Sequence, residues 1–254
     1  MIIGIDGPAG SGKSSITKIF ESKYGFLNLN TGATYRALAV LLLKKGYTFE
    51  NFKNVTPETL ELEENILLEL DVLKILSENT IDIQKEKQIN NGITEFKDII
   101  LLNGEDITNI IRDEEVSKIS SKISMFIKIK KGLVLLQQQI AQNMLKENPS
   151  QKGIIAEGRD ICTLVFKDAD IKIYLDAKPE IRAKRRYEEY IILGKTDKTY
   201  EEILENILNR DKEDKGKKYG ALICTKEHTY IDSSNLTKEE VVNIIIELYN
   251  SYNM

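Results

Sequence analysis

The sequence predicts an α/β fold, a mostly parallel sheet with helices on both faces, headed by a phosphate-binding loop. Three observations carry this reading. The chain opens on an apolar run, Ile2, Ile3 and Ile5, that breaks at once into Gly7-Pro8-Ala9-Gly10-Ser11-Gly12-Lys13-Ser14. Stretches of strand and helix character then alternate along its length, the order that yields parallel strands joined by crossover helices. Further on, the buried-type run Gly153-Ile154-Ile155-Ala156 leads straight into Glu157-Gly158-Arg159-Asp160. Charged residues at the carboxyl end of a core strand stand where open α/β sheets bind ligands.

The opening stretch has the spacing Gly, four residues, Gly-Lys-Ser, which wraps a polyphosphate in backbone N–H groups. Glycines at 7, 10 and 12 keep the backbone bare for that approach. The helix from Ser14 to Tyr24 places Ile16, Ile19, Phe20 and Tyr24 at helical spacing and closes at Gly25. Its N-terminus turns N–H groups and a positive dipole end toward the phosphates. Gly7, Pro8, Ala9, Gly10, Ser11, Gly12, Lys13, Ser14 and Ser15 are the candidate nucleoside-triphosphate-binding residues, with Lys13 on the β- and γ-phosphates and the Ser14 hydroxyl on Mg²⁺.

Composition bounds the rest. The chain has 254 residues, 41% hydrophobic and 30% charged, with a net charge of −4. This is ample for a buried core and argues against nonspecific nucleic-acid binding. No apolar run reaches the ~18 residues of a membrane span, and the opening has no basic, apolar leader, so a soluble, cytoplasmic chain is expected. Cys162 and Cys224 have neither disulfide nor metal spacing and are expected to be small buried residues in a reducing compartment. The single histidine, His228, precedes an apparent strand and is expected to be structural.

Only seven of the 36 basic residues are arginines: Arg36, Arg112, Arg159, Arg182, Arg185, Arg186 and Arg210. In a chain that uses lysine for ordinary surface charge, these mark places where a planar bidentate donor suits a phosphate.

Taken in order, Phe26 to Leu29 reads as a strand, and Asn30-Thr31-Gly32-Ala33-Thr34-Tyr35-Arg36 opens an apolar helix to Leu43, a second possible anion site. Residues 47–108 read as an insertion beside the core, with a helix over Glu58 to Leu70, strands at Thr80 to Ile83 and Ile99 to Leu102, and a flexible polar hairpin over Glu86 to Asp98. Ile111 to Val116 opens a helix. Lys128, Lys130 and Lys131 form a basic knot before another, Gly132 to Leu145. After the strand Ile171 to Leu175, a helix from Pro179 carries Arg182, Arg185 and Arg186 on one face, costly unless an anion joins them. A break at Gly194 to Lys198 and a helix from Tyr200 to Asp211 complete a mobile cover over the phosphates. Lys226 to Ser233 ends the sheet, and Thr237-Lys238-Glu239-Glu240 is a capping box for a last helix.

With these pieces in place, the chain resembles the bacterial cytidylate kinases of the P-loop nucleoside-monophosphate kinase superfamily. The resemblance rests on Ile-Asp-Gly-Pro-Ala-Gly-Ser-Gly-Lys-Ser-Ser (5–15), Asn-Thr-Gly-Ala-Thr-Tyr-Arg (30–36), Asn-Gly-Glu-Asp-Ile-Thr (103–108), Ile-Arg-Asp-Glu-Glu-Val (111–116), Ala-Glu-Gly-Arg-Asp (156–160), Lys-Ile-Tyr-Leu-Asp-Ala (172–177), Arg-Ala-Lys-Arg-Arg (182–186) and Arg-Asp-Lys-Glu-Asp (210–214), in order. It implies transfer of the γ-phosphate of ATP to CMP or dCMP, with Mg²⁺. It also implies a monomer with a P-loop kinase core at 1–43 and 132–254, a nucleoside-monophosphate-binding subdomain inserted at 44–131, and a lid at 180–218.

By resemblance, Thr31, Arg36 and Arg159 hold the acceptor phosphate, and Ser121 and Asp160 read the cytosine. Arg210 and Asp214 lie near the ribose and the transferring phosphates, while Arg182, Arg185 and Arg186 belong to the lid. Lys13, Arg159, Arg182, Arg186 and Arg210 are thus the candidate catalytic groups. The chain departs from the family pattern in three places. Lys130 and Lys217 stand where the family usually has arginine, and the region 47–98 is longer than usual. Lys130, at a base-reading position, is expected to weaken discrimination against UMP. A kinase of broader UMP/CMP range is the nearest alternative. A nucleotide-dependent switch is the alternative of another class; the chain has no recognisable GTPase base-specificity motif, and a second anion site has no place in a switch.

Overall fold

The computed structural model describes residues 1–90, 93–192, 194 and 198–252. In chain order the elements are β1 (Ile2–Asp6), α1 (Lys13–Tyr24), β2 (Phe26–Asn30), α2 (Gly32–Lys44), α3 (Glu63–Ser77), β3 (Ile81–Asn90), β4 (Ile93–Leu102), β5 (Glu105–Asp106), α4 (Glu114–Ile123), α5 (Ile127–Glu147), β6 (Gly153–Gly158), β7 (Ile171–Asp176), α6 (Pro179–Ile192), α7 (Tyr200–Gly216), β8 (Thr229–Asp232) and α8 (Lys238–Tyr252). The chain divides into two units, one of Met1–Leu29 with Lys152–Met254 and the other of Asn30–Gln151. The boundary thus falls before α2 and after α5, not at the 43/44 and 131/132 junctions expected from sequence.

The first unit holds a five-stranded parallel sheet of order β2-β6-β1-β7-β8. β1 sits centrally, with Ile3 level with Ile155 of β6 and Ile171 of β7. Its strands are nearly continuous apolar runs because both faces are covered. Ile3, Ile5, Ile155, Ile173 and Leu175 pack with Ile16 and Phe20 of α1 and Val241, Val242 and Ile245 of α8. The opposite face is crossed by a single π-helical turn, Ile161–Val165, which approaches so closely that a Cβ at Gly4 would lie 2.6 Å from the Cys162 sulfur. The capping box at Thr237 is formed: its N–H donates to Glu240 at 2.8 Å, and its hydroxyl accepts from the Glu240 N–H at 3.2 Å. A second box starts α7 at Thr199 and Glu202. The expected break at Gly194 to Lys198 falls largely outside the described residues.

The second unit places α2 to α5 around a three-stranded antiparallel sheet of order β3-β4-β5. β3 and β4 pair over ten residues each, so the polar stretch expected to be a flexible hairpin is regular ladder; residues 91–92 at its tip lie outside the described residues. α3 starts at Glu63, later than the expected Glu58, because Thr59 closes a turn on Thr56 with its hydroxyl. Its buried face includes Asn65 and Glu69. Glu69 accepts the N–H of Lys128 at 2.7 Å, which places a carboxylate at the N-terminus of α5. α5 therefore begins at Ile127, and the lysine knot expected ahead of the helix lies inside its first turns.

Candidate active site

In the first unit, β1 ends at Asp6 and the loop passes into α1 through Gly12, whose φ of 99° is left-handed backbone. A Cβ at Gly7 would lie 2.0 Å from the Leu175 carbonyl oxygen, so the loop packs against β7 only with glycine there. Lys13 is 6% exposed and curls over the loop, donating to the carbonyls of Gly7 at 2.8 Å and Pro8 at 2.6 Å and to the Ser11 hydroxyl at 3.2 Å. Burial, and then the positive charge of Arg159, hold its ammonium pKa well below the usual lysine range, against the pull of Glu157, Asp6 and Asp214.

The Ser14 hydroxyl donates to Glu157 at 2.7 Å. A hydroxyl and a buried carboxylate side by side are the hard oxygen donors that suit Mg²⁺. Glu157 was not singled out as a ligand by sequence, although its place at the end of β6 was a signal for it.

At the same edge Arg159 donates from Nε to Asp214 at 2.8 Å. Lys217 donates to the other Asp214 oxygen at 2.7 Å, and Arg210 Nε stands 3.9 Å away. Burial pushes the Asp214 carboxyl up, but Arg159, Lys217 and Arg210 together override it and hold the group well below the usual carboxylate range. Arg159, Arg210, Asp214 and Lys217 thus form one cluster, with Asp160 next in the chain and buried.

The three arginines of α6 do not share one anion. Arg182, 2% exposed, is bidentate on Asp211 of α7 and donates to the carbonyls of Ala177 at 2.8 Å and Ala9 at 3.1 Å. Arg185 donates to Ser233, its hydroxyl at 3.1 Å and its carbonyl at 2.6 Å. Arg186 pairs with Glu189 at 2.9 Å and covers the Tyr190 ring. Each guanidinium has its own acceptors, which relieves the repulsion expected along that face.

The second unit carries the other candidates. Thr31 is buried just ahead of α2, and Gln137, which the sequence did not mark, donates to Thr34 at 2.8 Å and to the Thr31 carbonyl at 3.4 Å. Arg36 donates to the Ile111 carbonyl at 3.1 Å. Ser121 lies on α4, its carbonyl accepting from the Ser124 hydroxyl, and Lys130 is buried on α5.

Cys162 is buried as expected, but Cys224 is exposed. It lies in a stretch without helix or strand ahead of β8, where no neighbouring element covers it. No helix among the described residues is long and apolar enough to cross a membrane.

A family model described as cytidylate kinase matches residues 3–251. A cytidylate kinase of Thermodesulfovibrio yellowstonii is 36% identical over 246 residues, covering 97% of this chain and 96% of that protein. Its counterpart in Caldicellulosiruptor bescii is 35% identical over 97% of this chain and 94% of that protein. One from Fusobacterium nucleatum is 34% identical over 96% and 95%. Carried by a phosphate loop, an arginine–carboxylate cluster and likeness over nearly its whole length, this chain belongs to the cytidylate kinase family.

Proposed function

We propose that the protein transfers the γ-phosphate of ATP to CMP or dCMP, giving ADP and CDP or dCDP. The observation that carries the reading is Lys13, a desolvated cation folded onto the loop carbonyls of Gly7 and Pro8. The phosphates of ATP replace those carbonyls as its acceptors, and the loop N–H groups take the remaining phosphate oxygens. Mg²⁺, when bound at Ser14 beside Glu157, supplies charge neutralisation of the transferring phosphoryl group.

The acceptor is already an anion, so no general base is needed; the work is alignment, charge stabilisation and exclusion of water. Arg159, held through Nε by Asp214 and through Nη1 by the Gly158 carbonyl at 3.3 Å, serves the acceptor phosphate. In the second unit, Thr31 and Arg36 are the candidates for the acceptor phosphate and Ser121 and Lys130 those for the base; in the first unit, Asp160 is a candidate for the base, and Arg210 and Asp214 for the ribose and transferring group. Arg182 orders the cover by tying α6 to α7 and the loop, whereas Arg186, about half exposed, is the cover arginine nearest to solvent. ATP and nucleoside monophosphates are cytoplasmic pools, which supports a cytoplasmic location; the monomer rests on the family resemblance alone.

The test is ADP release from the purified protein with MgATP and CMP, dCMP, UMP, AMP or no acceptor. Turnover confined to CMP and dCMP is expected. Comparable turnover with UMP transfers the claim to a broader pyrimidine kinase, and acceptor-independent hydrolysis alone overturns it. Lys13→Met is expected to lower kcat by about 10²–10³-fold, the scale of losing a preorganised charge at the reacting phosphate.

A further inference from the structure

Beneath the phosphate loop, on the face of the sheet opposite α1 and α8, lies a buried cluster that the reaction does not use: Asp6, Cys162 and His228, whose ligating atoms all lie within 4.8 Å of one another. We propose that His228 is a positioning residue, held as the neutral Nε2–H imidazole, that fixes the Asp6 carboxylate and through it the turn that carries Arg159 and Asp160.

The hydrogen bonds set the tautomer. The Thr225 backbone N–H donates to His228 Nδ1 at 3.0 Å, and the Thr225 hydroxyl lies 2.9 Å from the same atom. A backbone N–H can only donate, so Nδ1 presents its lone pair and the ring proton sits on Nε2. Nε2 faces Asp6 Oδ2 at 3.3 Å. Asp6 is fully buried. Its Oδ1 accepts the Ile161 N–H at 2.7 Å and its Oδ2 the Cys162 N–H at 2.9 Å. Those two amides open the π-helical turn directly after Gly158-Arg159-Asp160. One carboxylate therefore joins the last residue before Gly7 to the corner where Arg159 leaves β6, and the imidazole supplies a further donor beside the Cys162 thiol. Tyr174 meets the ring edge-on at a centroid distance of 6.0 Å and limits its rotation.

The same three side chains make a donor set for a thiophilic cation. The tautomer argues against it: Nε2, the nitrogen facing Asp6, carries the proton, and Nδ1 is engaged by Thr225.

The positioning role for acceptor binding rests on the kinase reading; the tautomer does not. Because His228 is the single histidine of the chain, two-bond ¹H–¹⁵N correlation on the labelled full-length protein reports one imidazole. A protonated Nε2 and a bare Nδ1 are expected at neutral pH. Amide exchange is then compared in wild type, His228→Phe and His228→Gln. In His228→Phe the Ile161 and Cys162 amides are expected to exchange roughly tenfold faster, the effect of losing one charge-assisted hydrogen bond, with Ile173 unchanged. His228→Gln, whose amide can reach Asp6, is expected to restore them. KM for CMP is expected to rise in the phenylalanine variant with a smaller change in kcat, and to recover in the glutamine variant.

A proton on Nδ1, a Zn²⁺ ion bound one per chain through Nε2, or unchanged exchange at 161 and 162 in His228→Phe overturns the proposal. If His228→Phe does not fold, the wild-type tautomer and the glutamine variant still decide it. Absence of CMP turnover in wild type overturns the kinase reading alone.

Discussion

Asp214 is one carboxylate set among three cations, Arg159, Lys217 and Arg210. Replacing it with asparagine leaves Arg159 and Lys217 desolvated without their counter-charge. Breaking a buried pair from one side costs about 3 kcal/mol or more, so Asp214→Asn is expected to lower the urea midpoint near neutral pH. The folded carboxyl titrates below its ordinary value of 3.8. Its contribution is therefore complete above that value and is lost as pH falls below it. The gap between wild type and Asp214→Asn is expected to narrow in that acid range; a gap independent of pH would show that packing, not charge, is responsible. Lys130 is proposed to bear on the base. A point charge cannot reproduce a guanidinium's paired donors, so Lys130→Arg is expected to raise the kcat/KM ratio of CMP over UMP, and an unchanged ratio sinks that role. The sequence pointed to Arg159 and Asp214 individually, by position and by family likeness. It did not reveal that they are joined, because they lie 55 residues apart and only the fold brings them together.

Among the elements, α6 and α7 are tied by the buried Arg182–Asp211 pair and by Ala183, Ile203 and Ile207. Removing the guanidinium leaves Asp211 without its counter-charge, so Arg182→Met is expected to lose about 3 kcal/mol of unfolding free energy. Thr237→Ala, which removes one half of a surface capping box, is expected to cost about 1 kcal/mol. Both are read from denaturant melts of the whole chain. Legibility at this scale followed the physics of each segment. The box at Thr237 and the core strand β7 were readable because local pattern alone determines them. α3 was misplaced because Pro57 mimics a helix start while the Thr56–Thr59 turn uses those residues otherwise. β3 and β4 were cut short because Glu86, Lys87, Gln88, Glu95 and Lys97 interrupt the apolar alternation while the ladder pairing runs on through them.

At the scale of the molecule, the order of alternating strands and helices was enough to give a parallel sheet, as observed. The unit boundaries were not readable. α2 and α5 have the same amphipathic character as the helices of the first unit, and nothing local says which core receives them. The family likeness covers both units, from residue 3 to residue 251, so each unit is part of what the relatives share.

The division of the chain has a consequence in time. The second unit is one unbroken stretch, Asn30–Gln151, whereas the first is made of two pieces separated by it. On the ribosome, every residue of the second unit has been synthesised before β6 exists. β1, the central strand, then waits for both of its neighbours, β6 and β7. Closing so long a loop adds little to the equilibrium cost, since that term grows only with the logarithm of length, but it delays the pairing. Pulse-labelled refolding is therefore expected to protect amides of α2, α4 and α5 before those of β1 and β6. Simultaneous protection would mean that the inserted unit gains its order only together with the sheet that frames it.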